Sequence, residues 1–236
     1  MSHTSQRRGL DPEDPGREII VLAMVPGEYR DEKGAGAAMS EVAVKMLEHD
    51  PANWLLRNFT EITIPKLGPA QPFFEWMSRH RPDATRRLLM RGVGRFSSVV
   101  NAIYTNVEDV VSLIADLEGD WLAENRDRGL PISIVLSGLF DDVHECCRRT
   151  GSQEHTFLHS LGSFGKVENL PTEKELEIVT MCGHGLVSTN GIRDTVKKIE
   201  EGLAPGDAAR HVARPCLCGL VNCERAEKVL RALAAT

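Results

Sequence analysis

Ile19-Ile-Val-Leu-Ala-Met-Val25 is an unbroken apolar run between the polar pair Arg17-Glu18 and the turn pair Pro26-Gly27. A strand with one wet face alternates apolar and polar residues. A run with no polar interruption reads as a strand covered on both faces. Downstream, a charged, glycine-containing loop from Glu28 to Gly36 leads into a helical pattern ending near His49, with Met39, Val42, Met46 and Leu47 on one face. Phe59 to Ile64 alternates as a second strand and stops at Pro65.

The later sequence repeats this alternation. Ile132-Ser-Ile-Val-Leu136 reads as a strand closed by Ser137-Gly138, with a helix following to about Arg149. Thr156 to Leu161 and Leu176 to Met181 read as further strands, and helices are expected from Asn190 to Glu201 and after Asn222. Strands alternating with helices predict an α/β fold, a mostly parallel sheet with helices on both faces. Residues 72–128 break the rhythm. Phe73, Trp76, Leu88, Leu89, Val99, Val100 and Ile103 continue a helical pattern, and Asn106 caps a stripe running from Val107 to Leu122. This block is expected to be a helical insertion, serving as a lid or as the surface of a homo-oligomer.

The polar stretch at residues 1–17 carries Pro12 and Pro15 and lacks the apolar centre of a secretory signal, so it reads as a disordered leader. Residues 18–236 then form a single domain with the insertion and a cysteine-rich C-terminal segment. The net charge of −6 is scattered, without a basic block, which argues against nucleic acid or a membrane surface as partner. No apolar run reaches membrane-spanning length. A cytoplasmic, reducing location follows as the expectation, in which the six cysteines are thiols or metal ligands.

Cysteines carry the chemistry. Cys216, Cys218 and Cys223 fall within Pro215-Cys-Leu-Cys-Gly-Leu-Val-Asn-Cys223, and Cys182 stands upstream in Met181-Cys-Gly-His-Gly185. Thiolates this crowded repel one another unless a soft metal or an iron–sulfur cluster compensates their charge. Alternate residues of an extended loop point the same way, so Cys-x-Cys can present two sulfurs to one centre. Structural zinc usually shows knuckles of Cys-x₂₋₄-Cys, whereas an iron–sulfur cluster accepts varied spacing. The leading expectation is therefore a 4Fe–4S cluster on Cys182, Cys216 and Cys218, with Cys223 either a fourth ligand or a helix-terminal residue. The alternative is a non-catalytic zinc or iron–sulfur module for assembly or sensing, with Cys182, His184, Cys216 and Cys218 as the possible zinc set. A metal-free redox thiol protein is the third reading. Cys146 and Cys147 share an apolar helix face with Leu139 and Val143 and read as core.

Three thiolates would leave one iron open to act as a Lewis acid on a small anionic metabolite, in lyase or sulfur-handling chemistry. His184 is then a candidate acid or base. Arg30 is a candidate clamp for a substrate carboxylate. Ser188, Thr189 and Asn190, at a helix start, can bind an anion or simply cap the helix. In parallel sheets ligands bind beyond the carboxyl ends of the strands. The loops 25–30, 136–138 and 181–185 are expected to converge at that edge.

Overall fold

The computed structural model describes residues 7–14, 17–55, 68–216 and 218–235. β1 (Ile19–Met24) lies between β3 (Val99–Tyr104) and β4 (Ser133–Ser137), antiparallel to both. A two-residue strand, β2 (Asn53–Trp54), pairs antiparallel with β3 and completes the order β2-β3-β1-β4.

Side-chain alternation sends β1 into two cores. Ile19, Val21 and Ala23 pack with Val100, Ala102 and Tyr104 against α1 (Ala35–Glu48). The same core takes in Met90 of α3 (Pro82–Phe96), which follows α2 (Gln71–His80), and Leu113 and Leu117 of α4 (Val107–Glu118). Trp121 of α5 (Asp120–Asp127) and Cys146 of α6 (Phe140–Thr150) close it. Ile20, Leu22 and Ile103 face the other way. They meet Ile178 of α7 (Glu173–Val179), Ile192 of α8 (Thr189–Glu200), Val212 of α9 (Pro205–Ala213) and Leu230 of α10 (Cys223–Ala234). Each large aliphatic side chain buried in this way contributes about 1.5–3 kcal/mol.

Local chemistry sets the helix starts. The Asn106 side chain accepts the Asp109 N–H at 2.8 Å and opens α4. Asn222 accepts from Glu224 and Arg225 at 3.0 and 3.4 Å and opens α10. Tyr104 donates its buried hydroxyl to the Met46 carbonyl at 2.7 Å, fixing β3 to α1. Where α1 meets α3, a Cβ on Gly36 would stand 2.6 Å from the Arg95 carbonyl oxygen, so the helices approach this closely only over a glycine.

The expected mostly parallel sheet is corrected: the molecule is 56% helical, with a small four-stranded antiparallel sheet. The burial of β1 on both faces is as read. Burial on both faces says nothing of strand direction, because antiparallel neighbours covered by helices produce the same apolar run. Residues 72–128 are not a wholly helical insertion either, since β3 interrupts them and pairs with both β1 and β2. Val99, Val100 and Ile103 mimic a helical spacing, but Val100 and Ile103 enter opposite cores. Leu176 to Met181 belongs to the end of α7 and the turn after it, not to a strand. Thr156 to Leu161 is exposed and takes no regular structure. The expected strand at 59–64 lies outside the described residues.

Strand direction also undoes the expected convergence of loops. β4 runs against β1, so the loop after Met24 and the loop after Ser137 leave opposite ends of the sheet. Among the described residues no helix is long and apolar enough to cross a membrane.

Candidate metal centre

α7 delivers Cys182. The sequence Thr172-Glu-Lys-Glu175 forms a capping box: Thr172 accepts from the Glu175 N–H at 3.3 Å, and Glu175 accepts from the Thr172 N–H at 2.9 Å. Beyond Val179 the chain tightens, with the Met181 N–H on the Ile178 carbonyl and the Gly183 N–H on that of Thr180. Met181 and Cys182 are fully buried by this turn.

The partner thiols come from the link between α9 and α10. The Cys216 N–H extends the end of α9 through a bond to Ala213, and the Gly219 N–H returns to the Cys216 carbonyl at 3.3 Å. Gly219 has φ +70° and lies directly against the carbonyl oxygen of Trp54 in β2. Asn53, buried beside it, donates its side-chain amide to the Val221 carbonyl at 2.7 Å. The cysteine loop is thus clamped onto the edge strand.

These two supports bring Cys182, Cys216 and Cys218 together, their sulfurs all within 4.8 Å of one another. The Cys216 and Cys218 sulfurs are 2.8 Å apart. Cys182 and Cys216 are buried and Cys218 is half-buried. Three thiols at this separation can hold a metal ion. Hydrogen bonds donated by Cys216 and then Cys218 hold the Cys182 thiol far below its ordinary range, against the opposing effect of burial. Donation to Cys182 in turn pushes Cys216 up to about 12. The same donation, reinforced by burial, raises Cys218. A cation bound by the three sulfurs would displace the protons they share.

His184 is exposed and donates to the Cys182 sulfur from both its backbone N–H and its ring. Cys223 does not join the group of three; it is the first residue of α10, behind the Asn222 cap. Ser188 uses its hydroxyl to cap α8, accepting the Gly191 N–H at 3.1 Å, and Thr189 and Asn190 are the first residues of that helix. Arg30 is remote from the thiols. It follows the C-terminal end of β1 and lines a cleft of about 140 Å³ with Arg95, Ser97 and Ser98. Met181 is instead linked through Arg7 to Ser137, the partner of Ile20 at the start of β1. Cys146 lies in the core on the opposite face of the sheet, and burial pushes its thiol up to about 12. Burial first, and Glu154 second, raise the half-buried Cys147.

A buried ionic group beside the thiols gave no signal in the sequence. Arg7, within the stretch read as a leader, donates to the Met181 carbonyl at 3.1 Å, to the Ser137 carbonyl at 3.3 Å and to Glu18. Arg225 of α10 donates to the same Glu18 oxygen at 3.2 Å. The Glu18 side chain is fully buried, and Arg7 is 2% exposed. Burial pulls the Arg7 guanidinium below its usual range, opposed first by Glu18 and also by Cys182. Isolated charges in a polar segment look alike whether solvated or buried. A capping box, by contrast, can be read from sequence, and Thr172 with Glu175 could have identified α7 as a helix.

Glu175 makes α7 sensitive to acid. Arg193, donating at 2.6 and 3.2 Å, and the Thr172 N–H together hold its carboxyl down to about 2. Its contribution to stability is therefore complete above the ordinary carboxyl range and is lost as pH falls from about 4.5 through about 2. Arg193 is 58% exposed, so solvent screens the ion pair and keeps its contribution modest. Glu175→Ala is expected to cost about 1–2 kcal/mol near neutral pH and progressively less as pH falls through about 2, measured by urea unfolding across pH.

Comparison with protein-family models, curated proteins and solved structures finds no match.

Proposed function

We propose that this protein carries a soft metal centre on Cys182, Cys216 and Cys218, with a fourth coordination position left to a non-thiolate ligand. The supporting observation is the meeting of three largely buried sulfurs within 4.8 Å, drawn from two separate supports in the fold. Thiolates on one tetrahedral zinc stand about 3.8 Å apart, given Zn–S bonds of about 2.3 Å. Ligands to different irons of a cluster stand farther apart. Sulfurs gathered within 4.8 Å, with one pair at 2.8 Å, stand nearer to the single-ion arrangement than to the wider cluster one. A second reading, a 4Fe–4S cluster on the same three cysteines, is favoured by the Cys-x-Cys spacing of 216 and 218, which departs from zinc knuckles.

In either form an open position would supply Lewis-acid chemistry to an oxygen or sulfur atom of a ligand. We read the ligand for that position as a small anionic metabolite. His184, exposed and hydrogen-bonded to Cys182, is the side chain able to hold or move a proton beside it. Assay of zinc, iron and acid-labile sulfide in anaerobically purified protein tests the proposal. About one ion per chain without sulfide supports the single ion. Iron and sulfide in near-equal amounts, with a brown chromophore, support the cluster. A protein that is isolated without metal, and takes up neither zinc nor a cluster on reconstitution, overturns both.

A further inference from the structure

We infer that Arg7 is a positioning residue of the metal centre, delivered by a strap of residues 7–9 and setting how tightly the three thiolates hold their ion. The inference rests on the metal-centre reading above. Arg7 reaches the carbonyl of the very peptide bond that joins Met181 to Cys182, at 3.1 Å, and braces it against Ser137 of β4. The Cys182 ligand is thus oriented through its own backbone.

The strap has its own fastenings. The Arg8 N–H donates to the Thr180 hydroxyl at 2.9 Å, two residues before Cys182. Arg225 donates to the carbonyls of Arg8 and Gly9 at 2.8 and 2.7 Å. Arg225 itself answers to Glu18 at 3.2 Å and Glu177 at 3.7 Å. Three thiolates around a divalent ion leave net negative charge in a buried place, and a cation held in the outer shell offsets it. Outer-shell partners of this kind are worth about 10- to 100-fold in metal affinity. Glu18, sharing Arg7, partly cancels that effect.

This sign difference separates a charge role from mere bracing. Co²⁺ is titrated into the apo form of the full chain, read by thiolate-to-cobalt absorption and by competition with a chelator. Arg7→Met is expected to weaken binding about 10- to 100-fold, and Arg7→Lys to recover most of the loss. Glu18→Gln, which breaks the same ion pair, is expected to bind Co²⁺ at least as tightly as the wild type. Should Arg7→Met fail to fold, Arg7→Met with Glu18→Gln removes one buried charge of each sign and is expected to bind Co²⁺ more weakly than Glu18→Gln alone. Equal weakening by Arg7→Met and Glu18→Gln overturns the inference, as does an Arg7→Met protein that binds like wild type. Wild-type protein that takes up no Co²⁺ overturns the single-ion reading on which the inference rests, a result distinct from either.

Discussion

Cys182→Ala is expected to leave a folded protein that has lost its metal. Cys182 is the one thiol of the three supplied by the end of α7; the others are two residues apart in a single loop. Without it that loop offers only a two-point hold. The loss of affinity should exceed the roughly 10- to 100-fold that removal of an outer-shell partner costs. The fold should suffer far less, because the change removes one small buried group of the kind that costs about 1 kcal/mol. Cys146→Ala is the matched control, since it deletes an equally buried thiol on the opposite face of the sheet. Elemental analysis of the two variants should give no metal in the first and wild-type content in the second. A Cys182→Ala protein with its metal intact would remove the site from α7 altogether.

Gly219→Ala is expected to produce the largest loss of stability from a single methyl group. The backbone there has φ +70°, a region that costs an alanine about 1 kcal/mol or more. The added Cβ would also fall on the Trp54 carbonyl oxygen and crowd the Cα of Leu55 at 3.1 Å. Both obstacles are backbone and cannot swing aside. Together the effects should reach about 3 kcal/mol or more, with loss of metal affinity as Cys218 is pushed out of register. Gly162→Ala isolates the strain, because φ is +99° there and no atom lies within 4 Å of the new Cβ. Urea unfolding of both variants measures the difference. If they lose the same stability, the clamp on β2 contributes nothing.

The parts of the fold that sequence disclosed are those governed by local chemistry. β1 was legible because seven apolar residues in a row admit no wet face, and α4 and α10 because asparagine caps stand directly before apolar stripes. Strand direction was not legible, because it depends on which segments pair rather than on how deeply each is buried. β3 was lost to a coincidence of spacing. Its branched residues Val99, Val100 and Ile103 fall at helical intervals, yet they belong to an alternating strand between two cores. The thiols were legible because few residue types tolerate such crowding without a shared purpose. Arg7 was not, since its partners Ser137 and Met181 stand 130 and 174 positions away. Arg30 was drawn towards the thiols only by the assumption of a common strand direction.

The fastening of the strap to α10 has a consequence for how the molecule is made. Arg225 grips the carbonyl of Arg8, a residue 217 positions earlier. At 5–20 residues per second, a ribosome takes roughly 10–40 s to cover that distance. Through that interval Glu18 and Cys182 emerge before the arginine that fastens the strap over them. The contacts that close the strap beside Cys182 therefore form only once Arg225 has been made, after all three thiols are in place along the chain.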